Sequence, residues 1–269
     1  MGKKVIIVTG GTRGIGGALC DYFLKSDCIV VFSGTSEASV SKAKAYYDKT
    51  FDEDLSLGVI ANIIDPNACD TLVEKCIEKY GKLDIFINNA GIEVGNGDFL
   101  DVNPDQISLQ MDVNIKGSMY GTLSALKYFK SVGRGSVYLM EGFGSDGRVG
   151  NGMTLYGTSK YAIRYFIKSL ANELKGTDIV IGALSPGMVT TDLLMKPLKD
   201  MDEKTAKRTM DIFRILADKK EDVAQFLGEN ILANKKQNPK IFWLTGGKVM
   251  FRFIFSKFLK RNPFDENDI

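Results

Sequence analysis

Among its 269 residues the chain has no histidine. That absence removes Ser-His-Asp and Cys-His catalysis, because both need an imidazole to take a proton near neutral pH. It also removes the usual zinc sites, and the four cysteines (Cys20, Cys28, Cys69 and Cys76) do not restore them, since no two stand at C-x-x-C spacing. No metal is expected, and the thiols read as reduced and structural. A general acid must then come from Tyr, Lys, Asp, Glu or Cys. Net charge is scarce too: 35 Lys/Arg against 33 Asp/Glu leave +2, spread along the chain, which argues against a nucleic-acid partner. No signal peptide or transit sequence is evident, since the opening apolar run is short and belongs to a strand. The cytoplasm is the expected compartment, or an organellar stroma if a transit peptide has been removed. Repeats, low-complexity tracts and linkers are absent, and 44% hydrophobic residues supply core enough for one domain over residues 1–269.

What is present begins with Val5-Ile6-Ile7-Val8, a β-branched block suited to a strand buried on both faces of a parallel sheet. Glycines follow at once, and from Ile15 the apolar residues Ala18, Leu19, Tyr22 and Phe23 recur at helical spacing. The segment Gly10, Thr12, Arg13, Gly14, Ile15 and Gly16 therefore joins a strand to a helix start, where free N–H groups and the helix dipole suit a pyrophosphate. Its spacing departs from G-x-G-x-x-G, so the strand and helix on either side carry the argument against a plain turn. Short apolar blocks at 28–33, 57–61, 83–88, 136–140 and 179–184 alternate with helical pattern, which predicts an α/β fold: a doubly wound, Rossmann-like parallel sheet with helices on both faces. Two long helical stretches, near 104–129 and 155–174, are apolar on more than one side and predict a homodimer or homotetramer.

Tyr156 and Lys160 stand one helical turn apart. Hydride addition to a carbonyl builds negative charge on oxygen, so a donor must deliver a proton as that charge appears. A phenol, ordinarily near ~10, is brought toward neutral pH by a neighbouring ammonium, so Lys160 is expected to lower the pKa of Tyr156. The alternative is a surface tyrosine and lysine on an amphipathic helix; the dinucleotide segment upstream argues against it.

Taken in order, Thr9-Gly10-x-x-x-Gly14-x-Gly16, Asn88-Asn89-Ala90-Gly91, Asn114, Tyr156-x-x-x-Lys160 and Ser185-Pro186-Gly187 resemble the short-chain dehydrogenase/reductase family over residues 3–193. The resemblance implies that Asn89, Ala90 and Gly91 close a strand beside the adenosine half of a nicotinamide dinucleotide. Pro186, Gly187, Val189 and Thr191 would hold the nicotinamide, Lys160 its ribose, and Asn114 a water on the proton path. One position departs from the pattern. Where the family places a carbonyl-orienting serine the chain has Phe143, and Ser145 is the nearest hydroxyl that the surrounding glycines could bring into place.

NADP(H) is the expected cofactor. After the second strand stand Ser33, Thr35 and Ser36, with no carboxylate before Glu37, and Arg13 adds a positive charge on the same side. Asn62 and Ile63 take the place of the family's usual pair against the adenine. The run 140–148, the segment 184–195 and the tail 241–260 resemble one branch, that of chlorophyll b reductase and its bacterial relatives. That branch implies reduction of a tetrapyrrole aldehyde to a hydroxymethyl group. The same chemistry on a smaller carbonyl (sugar, steroid or acyl) and a non-catalytic dinucleotide-binding sensor or scaffold are the alternatives. Substrate-lid helices are expected over 192–235 and an amphipathic tail over 241–262, its aromatics set among basic residues as suits a peripheral membrane contact or the closing of the core.

Overall fold

All four residues of β1 (Val5–Val8) are buried, because each face of the strand meets helices. Val5 and Ile7 enter one apolar cluster, Ile6 and Val8 the other. In the computed structural model, which describes residues 2–95, 97–196, 198, 201–259 and 261–264, β1 is an inner strand of a seven-stranded sheet. The others are β2 (Ile29–Gly34), β3 (Ser56–Ile60), β4 (Ile85–Asn88), β5 (Arg134–Met140), β6 (Asp178–Ser185) and β7 (Lys240–Phe242). Their order is β3-β2-β1-β4-β5-β6-β7 and every pairing is parallel.

The helices are α1 (Gly14–Lys25), α2 (Glu37–Thr50), α3 (Pro66–Tyr80), α4 (Pro104–Met111), α5 (Ser118–Val132), α6 (Thr154–Glu173), α7 (Asp192–Met195), α8 (Glu203–Leu216), α9 (Lys220–Ala233), α10 (Gly246–Ile254) and α11 (Ser256–Leu259). Local signals set several of their ends. Asp65 caps α3 by accepting from the Asn67 N–H, Pro66 opens it, and Gly81 at φ 73° stops it. One layer, with Leu19 and Phe23 of α1 and Val223, Leu227 and Ile231 of α9, covers the Ile6 and Val8 face. The other, with Leu72 of α3, Phe129 of α5 and Ile163 and Ile167 of α6, covers the Val5 and Ile7 face. The chain runs outward from β1 to β3 and then crosses to β4 on the other side of β1. The crevice above the ends of β1 and β4 is thus the switch point at which such sheets bind ligands.

The single-domain parallel sheet and its first six strands stand as the sequence pattern predicts, with shifted ends. β7 escaped prediction because three residues at a sheet edge carry no periodicity. The stretch at 104–129 is not one regular helix: a π-helical turn, Asp112–Gly117, separates α4 from α5. The expected lid is corrected at α9, which is a core helix packed on α1. The expected tail is corrected at 241–242, which pair with β6. Residues 197, 199 and 200 of the lid segment and 260 of the tail lie outside the described residues. Among the described residues no helix is long and apolar enough to cross a membrane.

Candidate active site

The loop from β1 to α1 is held from three sides. Thr9 Oγ1 accepts from the N–H groups of Asn89 and Ala90, each at 3.1 Å, and Asn89 Nδ2 donates to Thr9 O at 2.9 Å and Gly10 O at 3.2 Å. From below, the buried Tyr47 hydroxyl donates to Gly11 O at 3.0 Å. Gly14 takes φ 58°, and a Cβ at Gly16 would stand 2.3 Å from Gly10 O, so neither position admits a side chain without rearrangement. Arg13, the residue before α1, offers no side-chain cap, whereas Ser36, Asp65, Asn103 and Asp202 cap α2, α3, α4 and α8. Uncapped N–H groups at a glycine-lined helix start suit the phosphates of a dinucleotide. Asn89 Oδ1, buried with no hydrogen-bond partner, is an unused acceptor beside those donors.

Ile15, Asn89, Gly91, Tyr156, Lys160, Pro186, Gly187, Val189 and Thr191, all expected around the cofactor, line one cleft of about 960 Å³. Gly10, Thr12, Gly14, Gly16 and Ala90 build the loops behind it, and a Cβ at Gly14 would approach Thr191 Cγ2 at 3.7 Å. Thr35 is exposed at the end of β2, and Ser36 serves as the cap of α2. Asn62 is exposed beyond β3, while Ile63 is buried and its side chain presses on Gly117. Arg13 is 81% exposed, with its guanidinium 3.3 Å from Asp192. Ser33 needs correcting: it is 1% exposed, and its hydroxyl accepts from the Gly10 N–H at 3.4 Å. It props the glycine loop instead of facing a phosphate.

Tyr156, in the first turn of α6, brings its hydroxyl against Gly142; a Cβ there would lie 2.4 Å from Tyr156 Oη. Only a glycine leaves that oxygen room. Lys160 Nζ stands 5.5 Å from the Tyr156 ring centroid and donates to Met140 O at 3.2 Å. Burial holds the Lys160 ammonium down to about 8, against the opposing charge of Glu141. The expectation that Lys160 lowers the phenol is also corrected. Burial, with the charge of Glu93 adding to it, pushes Tyr156 above the ordinary phenol range, and the hydrogen bond of Lys160 goes to a carbonyl instead of the phenol.

Asn114 lies in the π-helical turn with its amide committed: Oδ1 accepts from Ile92 N at 2.9 Å, and Nδ2 donates to Ile92 O at 2.9 Å and Ser159 Oγ at 3.1 Å. One turn earlier the fully buried Gln110 accepts from Val94 N and donates to Ile92 O, both at 2.9 Å. Residues 92 and 94 are thereby pinned, and Glu93 between them lines the cleft. Burial pushes its carboxyl up to about 7, opposed by the charge of Lys196. Ser145 is corrected as a catalytic candidate. It is buried and donates to Glu141 Oε2 at 3.1 Å, while Glu141 forms a two-pronged pair with Arg164 at 3.0 and 2.8 Å. A buried carboxylate claims the hydroxyl, and Phe143 takes the cleft wall.

Sequence reasoning missed Tyr47, Gln110 and Glu93. Gln110 had a signal in its four-residue spacing from Asn114, and Glu93 in following the Asn-Asn-Ala-Gly run. Tyr47, brought in from α2, had none.

A switch-point glycine loop with a tyrosine and a lysine in the same cleft defines a class, the nicotinamide-dinucleotide oxidoreductases. Residues 4–202 match the family described as short chain dehydrogenase, and the chain belongs to that family, the short-chain dehydrogenases/reductases. It is 32% identical over 275 residues to the chloroplastic chlorophyll(ide) b reductase NOL of Oryza sativa subsp. japonica, covering 98% of this chain and 78% of that protein. It is 27% identical over 281 residues to the probable chlorophyll(ide) b reductase NYC1 of the same plant, and there it spans about half, 54%, of the relative's length. Among solved structures it is similar to ElxO with NADP bound, with a TM-score of 0.76 and 25% identity over 93% of this chain and 100% of that one.

Proposed function

We propose that the chain is an NADPH-dependent reductase that converts a formyl group on a large, flat tetrapyrrole to a hydroxymethyl group. The observation that carries this reading is the cleft itself. Its volume of about 960 Å³ has to hold the nicotinamide end of the dinucleotide as well as the substrate. It runs from Ile15 at the glycine loop, past Tyr156, to apolar walls that include Phe99, Phe143, Met153, Leu193 and Phe213. Likeness to proteins named chlorophyll(ide) b reductase supports the substrate class.

When bound, the dinucleotide supplies the hydride. The loop between β1 and α1 would hold its phosphates, Thr35 and Arg13 the 2′-phosphate, and residues 186–191 its nicotinamide end. The hydroxyl residues Thr35 and Ser36 between β2 and Glu37, with no carboxylate at the strand end itself, and the likeness to a structure titled with NADP support the choice of NADPH. Tyr156 keeps its proton until negative charge develops on the substrate oxygen and then donates it. Glu93, neutral below about pH 7, offers a hydroxyl donor in the cleft where Phe143 stands in place of a serine. The aromatic walls exclude water and stack against a planar ring.

The test mixes the protein with NADPH and chlorophyll b or chlorophyllide b in mild detergent, following the pigment spectrum together with cofactor oxidation. Matched loss of NADPH and appearance of the hydroxymethyl pigment is the expected result. Bound NADPH with an unchanged pigment would sink the substrate class and turn the search to smaller carbonyls. NADPH binding with no turnover on any carbonyl would leave a sensor or scaffold.

A further inference from the structure

An ordinary surface helix turns its apolar stripe to the protein and its charges to water. In α10 the arrangement is reversed. The side chain it buries is Arg252, 6% exposed, whereas Met250 and Ile254 are 66% and 64% exposed, and Phe258 of α11 is 83% exposed. Backbone bonds from Phe255 N to Phe251 O and from Leu259 N to Phe255 O, at 3.0 and 2.9 Å, carry the helical path from α10 into α11. Met250, Ile254 and Phe258, with Phe251, Phe255 and Leu259 beside them, recur every four residues and form one outward apolar face.

The orientation is locked. Arg252 donates to both oxygens of the buried Asp218, at 2.7 and 2.8 Å, and to Leu216 O at 2.9 Å. Arg261 also bonds Asp218, and it reaches Ile215 O at 2.6 Å. Rolling the apolar face inward would break these bonds and leave Asp218 without its charged partners. In sequence, residues 245–264 contain five Lys/Arg and no Asp or Glu, and Asp218 holds two of the five, Arg252 and Arg261.

We propose that α10 and α11 form a docking surface for an anionic lipid membrane, lying in its plane with the aromatic face at headgroup depth. A second copy of the chain fits less well. A two-fold contact through this patch would set one basic segment against the other. An anionic surface meets both features at once, basic residues to phosphates and aromatics to the interface. α10 also packs on α8, whose Thr209 and Phe213 line the cleft. Resting on the function proposed above, this places the α8 wall beside the phase in which an apolar substrate dissolves.

The test is co-sedimentation of the full chain, without substrate, with vesicles of phosphatidylcholine alone or of phosphatidylcholine and phosphatidylglycerol in equal parts. Binding is expected to the mixed vesicles, weakening as salt is raised, and little to the neutral ones. Phe251→Ser combined with Phe258→Ser should lower the bound fraction by about tenfold or more. Tyr165→Ser, which removes an exposed aromatic on α6, should not change it. Circular dichroism and NADPH binding show that each variant is folded. Equal binding by the double variant, or none by the wild type, overturns the proposal. So does a wild-type dimer that the double variant dissociates, since a second copy would then cover the face. None of these outcomes touches the pigment assay, so the two readings fail separately.

Discussion

Tyr156 and Glu93 are coupled through charge, and their substitutions are distinguishable. Tyr156→Phe removes the proton donor and little else. Turnover should fall by about 10²–10⁴-fold while NADPH affinity, read by fluorescence titration, stays within a few-fold; unchanged turnover would refute the mechanism. The charge of Glu93 raises the phenol, so Glu93→Gln should shift the alkaline fall of reductive kcat/KM to lower pH. Stability gives a second reading of the same residue. Its folded pKa of about 7 lies above the ordinary 4.5, so the unfolded chain loses that proton first. Wild-type stability therefore declines as pH rises from about 4.5 to about 7, and the loss is complete above. Urea midpoints should show Glu93→Gln gaining on wild type above pH 7 and not below 4.5; a gain that does not depend on pH would mean that the carboxyl is not the cause. Tyr156 and Lys160 were legible in the sequence because helical spacing places them on one face. The direction of the phenol shift was not legible, since burial and Glu93 reach Tyr156 only through the fold.

Between elements, Asp218 is the main tie. Its backbone pairs with Val189 and accepts from the Thr190 N–H at 3.0 Å, and its carboxylate takes Arg252, Arg261 and the Trp243 N–H. Burial pushes that carboxyl up, but the Arg252 and Trp243 hydrogen bonds and the two arginine charges outweigh it and hold it below the ordinary carboxylate range. Stability from this group is therefore present above the ordinary carboxylate pKa and lost as pH falls through its depressed value. Asp218→Asn leaves a buried guanidinium without its counter-charge and should cost about 3–5 kcal/mol in urea unfolding. A variant as stable as wild type would show the cluster to be dispensable. Strands β1 to β6 could be read from short apolar blocks and α6 from its period. The core role of α9 and the inversion of α10 could not be read, because a helix with apolar residues does not state which neighbour will cover them.

For the molecule as a whole, the open choice is between two dinucleotides. The Arg13–Asp192 pair is exposed on both sides and contributes little to folding, so Arg13→Ala should leave stability within about 1 kcal/mol. NADPH affinity should fall by roughly tenfold or more through the lost phosphate contact, and NADH affinity should change little. Calorimetric titration with each cofactor checks this; an equal loss for both would remove the case for NADPH. The chain by itself determined the doubly wound fold, the glycine loop and the Tyr156–Lys160 pair, because strand alternation, helical period and motif spacing act over a few residues. Only tertiary structure decided that Ser33 and Ser145 turn inward, that Glu93 faces the cleft between two pinned backbone positions, and that Arg252 points in while its aromatic neighbours point out. Those outcomes depend on which buried group reaches a partner across long sequence separations, as Glu141 does with Ser145 and Arg164 and Asp218 does with Arg252, and local pattern carries no information about that competition.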